Sequence, residues 1–451
     1  MNEAISSLNN ALHQRGFRAS LLLVFNSFSW YFPLFVLFTD TLNTLNLGYV
    51  LLIVVFGFHY LSIAGSALFG NYLVEKIGRN KLLSLWIILG VFSSGFMLTM
   101  SFSNIVGICI ISVLLGLSLG LGFPSCLAYF GDNISANQKG LIGGLSFALT
   151  FVAITIGGFL AITAELTLSI IGFTIWRLIG LLLFLLLKTG ENSTQTKVTY
   201  LKIIRERTFL LYLIPWSIFC VINFFQAPFF DSQLQQQYVG TGTNLSDLIS
   251  LGEFGIGSIS MIVSGYLSDR IGRKHLIIIA YAMVGVGYAL LSIASQNQII
   301  FYLYVLLDGI AWGTFFLMFF LVIWGDLAQK RLTNRYYLIG IMPFILSTYI
   351  TPLVTPIAGD IPVFSTFSFA SFFLFLAVIP LMIAPETLPE KVMRDQDLRS
   401  YAEKALKHAT AETDKKRKKK ADQTEVEKEE NHEEPESSED KKARELAEKY
   451  Y

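Results

Sequence analysis

Twelve stretches of about twenty predominantly apolar residues, each long enough to cross a hydrocarbon core of about 30 Å as a helix, dominate this sequence. They run over 19–39, 49–72, 82–100, 105–130, 141–164, 169–187, 209–230, 248–267, 276–294, 299–324, 336–356 and 364–384. In lipid every backbone N–H and C=O must find a partner inside the structure, so such runs predict helices. The expected fold class is an all-α membrane protein of twelve transmembrane helices in two pseudo-symmetric six-helix bundles. A mean hydropathy of +0.56 and a hydrophobic content of 53% agree with lipid as the main solvent.

Charge is confined to particular places. From Glu386 onward lie 16 of the 34 Lys and Arg and 19 of the 33 Asp and Glu. Of the 18 basic residues before that tail, 17 fall in segments that alternate helices leave on one side, from Arg15 and Arg18 ahead of the first run to Lys330, Arg331 and Arg335 ahead of the eleventh. Basic residues near helix ends stay on the cytoplasmic side, which predicts a multi-pass protein of the cell membrane with both termini cytoplasmic. The exception, Arg177, sits inside the sixth run. The organisation expected is a cytoplasmic leader 1–18, a first bundle 19–187, a cytoplasmic central loop 188–208, a second bundle 209–385 and a charged tail 386–451, solvated and largely disordered or helical. The leader carries Glu3 and no short apolar core with a cleavage site, so it reads as a leader that is not removed. In the tail, the run from Asp414 to Lys420 either holds anionic headgroups or keeps the segment extended.

An internal repeat supports the division into halves. Glu-Lys-Ile-Gly-Arg at 75–79 returns as Asp-Arg-Ile-Gly-Arg at 269–273, and Gly131-Asp132 returns as Gly325-Asp326, both at an offset of 194. Two unrelated matches at one spacing make the halves copies of one six-helix unit around a central pathway.

The second copy, Gly265 to Lys274, reads GYLSDRIGRK and resembles the loop motif G-x-x-x-D-R-x-G-R-K of the major facilitator superfamily. The first copy departs from it, with Asn71 at the glycine position, Gly70 just before and Glu75 for the aspartate, which shifts or weakens the helix contact that the glycine makes. Asp132 to Gly140 is similar to the E-x-x-P-x-x-x-R-G segment of the sugar-porter-like branch, with Ser135 in place of the proline. Pro385-Glu386-Thr387 resembles that branch's P-E-T ending, and Trp176-Arg177 its W-R pair. The branch's glutamine-rich stretch on helix seven is absent, as is the helix-one aspartate of proton-coupled members, where Asn26 stands instead. The resemblance implies a secondary transporter that moves a small solute, a sugar or similar polar metabolite, by symport with protons. An exporter of amphipathic compounds and a non-transporting sensor are the alternatives.

Candidate site residues follow from depth and chemistry. Asp308, well inside the tenth run, reads either as a proton or substrate site or as a charge in a structural network, with Trp312 one turn on. His59 and Glu253 occupy equivalent positions in the repeat, about 24 Å from the inner boundary by helical rise, near an external gate; with Asp308 they are the candidates for proton coupling. Asn26 and Trp30, and Asn223 and Gln226, share helix faces and either line a substrate cavity or tie helices together. Arg177 reads as a structural charge that pairs or snorkels. Glu75, Arg79, Asp132, Asp269, Arg270, Arg273 and Asp326 form an expected cytoplasmic gate, Glu75 with Arg79 and Asp269 with Arg270 and Arg273. Cys109, Cys126 and Cys220 all lie in apolar runs, no paired Cys and His ligands occur and no G-x-x-x-x-G-K-S/T loop is present. No metal, cofactor or ATP-driven step is therefore expected, and the expected partners are membrane lipid, a small-molecule substrate and protons, with no nucleic acid and no enzymatic activity.

Overall fold

A computed structural model of the chain describes residues 13–45, 47–99, 104–188, 199–230, 249–250, 252–328, 332–388 and 437–450. The tail run at 414–420, the side chains of Lys197, Lys330 and Arg331, most of the leader and residues 189–198 of the central loop lie outside the described residues. Eleven described helices are long and apolar enough to cross a membrane: α1 Arg15–Thr44, α2 Tyr49–Ile77, α3 Arg79–Met97, α4 Ile105–Asn133, α5 Lys139–Thr163, α6 Leu166–Leu187, α7 Arg207–Phe229, α9 Arg273–Ala294, α10 Gln298–Leu327, α11 Thr333–Ile357 and α12 Val363–Ile383. The twelfth, α8, opens with a π turn at Gly252–Ile256 and continues as Gly257–Ile271. The chain is thus the expected all-α membrane protein, and no strand occurs among the described residues. A short helix, Tyr200–Ile204, precedes α7. In the tail, which forms a unit of its own, Ser438–Tyr450 is helical (α13).

Lipid gives helices no hydrophobic reason to associate, so close backbone approach at small residues has to hold them. On α4, an added Cβ at Gly116 would lie 2.5 Å from the His59 carbonyl of α2, and one at Gly120 2.2 Å from that of Ile63. The second half repeats the device: Gly309 and Gly313 of α10 lie against the carbonyls of Gly252 and Gly257 in α8, at 2.4 and 2.3 Å from the added carbons. A third crossing joins the two halves, with Gly140 and Gly144 of α5 against the carbonyls of Gly265 and Met261 of α8. Side-chain hydroxyls add bonds along α8 and α10, as Ser260 donates to the Ile310 carbonyl at 2.8 Å and Ser264 meets Thr314 at 2.8 Å.

The first-copy departure changes a partner. Gly265 faces α5 in the opposite half, whereas Gly70, one position early, packs onto the Leu121 carbonyl within its own half, where α4 breaks between Gly120 and Phe123. Asn71, in the glycine's place, turns to donate to the Tyr200 hydroxyl.

The two Ile-Gly-Arg loops carry the only described glycines with positive φ, Gly78 at 85° and Gly272 at 96°. Each ends one helix and starts the next, and at Gly272 the Glu386 carboxylate fills the space a side chain would take, 2.4 Å from an added Cβ. The backbone strain of an alanine is common to both sites and worth about 1–2 kcal/mol, but the collision with Glu386 is not. Gly272→Ala is therefore expected to lower the thermal unfolding midpoint of the purified protein by several degrees more than Gly78→Ala. Equal midpoints in the two variants would remove the role given to Glu386.

Candidate functional site

The basic loops gather at one end of the helices, and there the halves are joined by charge. Asp269, at the end of α8, accepts the backbone N–H groups of Gly140 at 3.0 Å and Leu141 at 2.8 Å. Those amides belong to the first turn of α5, which has no side-chain cap of its own, so a carboxylate from the opposite half meets the positive end of its dipole. Arg273 holds the same acid at 2.9 Å and reaches Asp326 at 3.1 Å and the Ala136 carbonyl at 2.6 Å. Lys139 completes the group at 2.7 Å from Asp326. On the other seam Glu75 of α2 pairs with Arg335 of α11, and Thr333 donates to Asp132 at 2.7 Å.

Two expected pairings differ. Glu75 bonds across the seam to Arg335, while Arg79 pairs within its own half with Asp132 at 2.6 Å. Arg270 lies over the ring of Tyr266 at 4.2 Å and is exposed, because at the end of α8 its side chain points away from the helix face that Asp269 presents to α5. Sequence reasoning missed Lys139 and Arg335 as seam residues. Their positions at the first turns of α5 and α11, one on each half, are the signal that would have found them. It also missed Glu386, whose carboxylate caps α9 by accepting from the backbone of Arg273 at 2.8 Å and Lys274 at 3.1 Å.

Deeper in the structure the helices of Asp308 and Glu253 cross at the residues next to them, Gly309 against the Gly252 carbonyl. Asp308 is 2% exposed, and on the same helix the Tyr304 hydroxyl lies 3.5 Å from that of Tyr288. Glu253 stands in the π turn at Gly252–Ile256, beside the glycine crossing of α8 and α10. Such π turns recur at functional sites because they re-aim a side chain. The repeat partner of Glu253, His59, is buried and held by neutral groups: the Tyr31 hydroxyl at 2.7 Å from Nε2 and the Ser112 carbonyl at 3.0 Å from Nδ1.

The amide and tryptophan candidates divide differently. Asn26 donates to the Trp176 carbonyl at 2.8 Å and accepts from Arg177 at 2.9 Å, and Trp30 lies 4.6 Å from the Arg177 guanidinium, so both face the interior of the first half. Arg177 is buried and does not snorkel. Gln226 donates to the Thr366 carbonyl of α12 at 2.8 Å, Asn223 is half-buried, and Trp312 packs on Phe316 and Phe219. Between the halves lie aromatic rings: Phe28, Phe123 and Phe147 of the first half surround Phe320 of the second at 6.0–6.4 Å, and Phe151 meets Phe254 and Phe316 at 5.3 Å. At the end away from the basic loops, the Tyr349 hydroxyl donates to the Ile53 carbonyl at 3.1 Å and that of Tyr49 to the Pro352 carbonyl.

A family model for the Major Facilitator Superfamily matches residues 19–323, well over half of the chain. The chain belongs to that superfamily. Among solved structures it is similar to the proton:xylose symporter XylE bound to 6-bromo-6-deoxy-D-glucose, at 15% identity and a TM-score of 0.61, over 83% of this chain and 96% of that one. No curated protein matches it by sequence. The facilitator family and the shared fold make this chain a multi-pass membrane protein and a secondary transporter, with the sugar-porter-like architecture that its motifs resemble.

The facilitator's seam charges differ in burial, and this sets what each removal costs. The Asp326 side chain is 0% exposed between two cations, whereas that of Asp132 is 40% exposed. Asp326→Asn leaves the buried Lys139 without its acid, while Arg273 keeps Asp269, and is expected to destabilise by about 3 kcal/mol, against roughly 1 kcal/mol or less for Asp132→Asn. Thermal or denaturant unfolding of both variants in one detergent checks the order; a milder Asp326→Asn would break the assignment.

Proposed function

We propose that the protein is a proton-coupled secondary transporter for a small amphipathic solute, working by alternating access between the halves 19–187 and 209–385, with both termini cytoplasmic. The observation that carries the coupling is that Asp308 and Glu253 adjoin the crossing of α8 and α10. Two carboxylates side by side in a low-dielectric interior repel strongly when both are ionised, and one shared proton removes the repulsion. No basic side chain lies at that depth in the second half among the described residues, where Arg270, Arg273, Lys274 and Arg335 all sit at the basic end. A proton is then the charge the pair can gain and lose. His59, with both ring nitrogens engaged, has a packing role in this reading.

The rings between the halves support an amphipathic solute, since they offer apolar faces, while Asn26, Trp30 and Gln226 are used inside their own bundles. A sugar is the second reading, favoured by the Asp132 to Gly140 and Pro385-Glu386-Thr387 segments and by the symporter of like fold. In proteoliposomes, competition by hydrophobic cations rather than by sugars is the expected outcome; the reverse result would make the sugar reading correct.

Asp308→Asn mimics the neutral form while keeping the volume. Uphill accumulation under an imposed pH gradient is expected to fall to background, with counterflow exchange retained, because exchange does not need the empty carrier to lose a proton. Wild-type accumulation that ignores the gradient, or a variant that still accumulates solute, leaves Asp308 as a structural charge.

The basic end is read as the cytoplasmic gate, built from Glu75, Arg79, Asp132, Asp269, Arg273 and Asp326 together with Lys139 and Arg335. Asp269→Asn removes the charge from the α5 terminus, a loss of about 1–2 kcal/mol, and should shift the population toward opening there by about 5–30-fold. Ser125, buried where Asn334 of α11 reaches it at 3.5 Å, supplies the reporter position. In a background with the native cysteines replaced, labelling of Ser125→Cys from the cytoplasmic side is expected to quicken when Asp269→Asn is added. An unchanged rate sinks the gate.

A further inference from the structure

We infer that the first half of the protein holds a small monovalent anion on the unoccupied edge of the Arg177 guanidinium. Arg177 lies midway along α6 and is 0% exposed. The rings of Trp30 and Trp86 lie against its planar group, each centred 4.6 Å away. One end is satisfied, since Nη1 donates to Asn26 Oδ1 at 2.9 Å and to Ser27 Oγ at 2.8 Å. What remains is Nε and Nη2, and neither has a partner among the described residues. These two nitrogens point their hydrogens the same way and form the fork by which arginine grips a carboxylate. The indole Nε1 of Trp30, whose ring packs on the guanidinium, is also buried without a partner among the described residues.

The surroundings fit a ligand there. An alanine methyl at Gly90 of α3 would stand 2.8 Å from Nε and 3.1 Å from the Trp30 ring, so a larger residue there would press on the fork. Countercharge is missing. Between residues 19 and 187 the acids are Asp40, Glu75, Asp132 and Glu165. Glu75 pairs with Arg335 and Asp132 with Arg79; Asp40 lies in the last turns of α1, and Glu165 stands ahead of α6. Arginine stays charged in proteins, and a buried charge needs a partner of opposite sign to be tolerated. Two aromatic faces and two neutral acceptors supply part of that compensation, and leave three buried donors unmet. A monoanion with two oxygens, as in a short carboxylate, would take the fork with both and reach the indole N–H; a halide would take the same donors with one atom.

The test uses the full-length protein in lipid nanodiscs at constant ionic strength, with potassium formate and potassium chloride as probes and potassium gluconate as the bulky control. A saturable rise of a few degrees in the unfolding midpoint with formate or chloride, absent with gluconate, is expected. Formate acting at lower concentration than chloride assigns the carboxylate as the preferred class. Iodide, which takes the halide position, should quench part of the tryptophan fluorescence saturably. Arg177→Lys keeps the charge and lacks the fork, so the saturable responses should vanish. Trp30→Phe keeps the ring face and loses only the N–H, and should weaken the apparent affinity about 3–10-fold; it decides the matter if the lysine variant does not fold. A wild-type protein indifferent to small anions, or responses that both variants leave unchanged, would make Arg177 a structural cation held by its tryptophans alone.

Discussion

The seam between the halves depends on one contact, the Asp269 carboxylate on the first amides of α5. A helix that starts at a membrane boundary without its own cap leaves N–H groups that lipid cannot satisfy. Supplying the acceptor from the opposite half turns that local requirement into an interaction between domains. It works only because Gly140 and Gly265 let the two backbones approach closely, with the Gly265 carbonyl 2.5 Å from a carbon added at Gly140. Arg273, Lys139 and Asp326 then assemble around an arrangement that backbone geometry has already set.

Duplication gave the halves one framework, and substitution gave them different interiors. Helix pairs two–four and eight–ten cross at glycines in the same manner. Yet the equivalent positions 59 and 253 carry a histidine bound by neutral groups and an acid in a π turn. Between the ends, the first half buries the cation Arg177 and the second the acid Asp308, among the described residues. The framework is generic to moving one bundle against another; the chemistry lies in this difference of sign.

Most of the fold was legible because a spanning helix must be both long and apolar, so twelve runs could be counted before any coordinates. The run that met most difficulty was the eighth, with Glu253 in it, where a π turn replaces regular helix. The repeat identified Asp269, Asp326, Glu75 and Asp132 as a set because each is a charge at the end of an apolar run. Arg273 was read as a partner of Asp269 and is one, but the partners across a seam were hidden, since these depend on which helices adjoin, and Glu75 reaches Arg335, 260 residues away in the chain. Asn26 and Gln226 were recognisable as polar groups in lipid, but one-dimensional spacing does not tell a helix's pathway face from the face it turns to its own bundle.

The seam at the end away from the basic loops is made of another material. Tyr349 and Tyr49 each donate a hydroxyl proton to a backbone carbonyl, with Gly57 leaving 2.9 Å between an added carbon and the Tyr349 oxygen. Neutral bonds of this kind are worth about 1 kcal/mol each, far less than buried ion pairs whose separation strands a charge. The two ends therefore do not part with equal ease. On the alternating-access reading proposed above, the charged end is the costlier of the two to part.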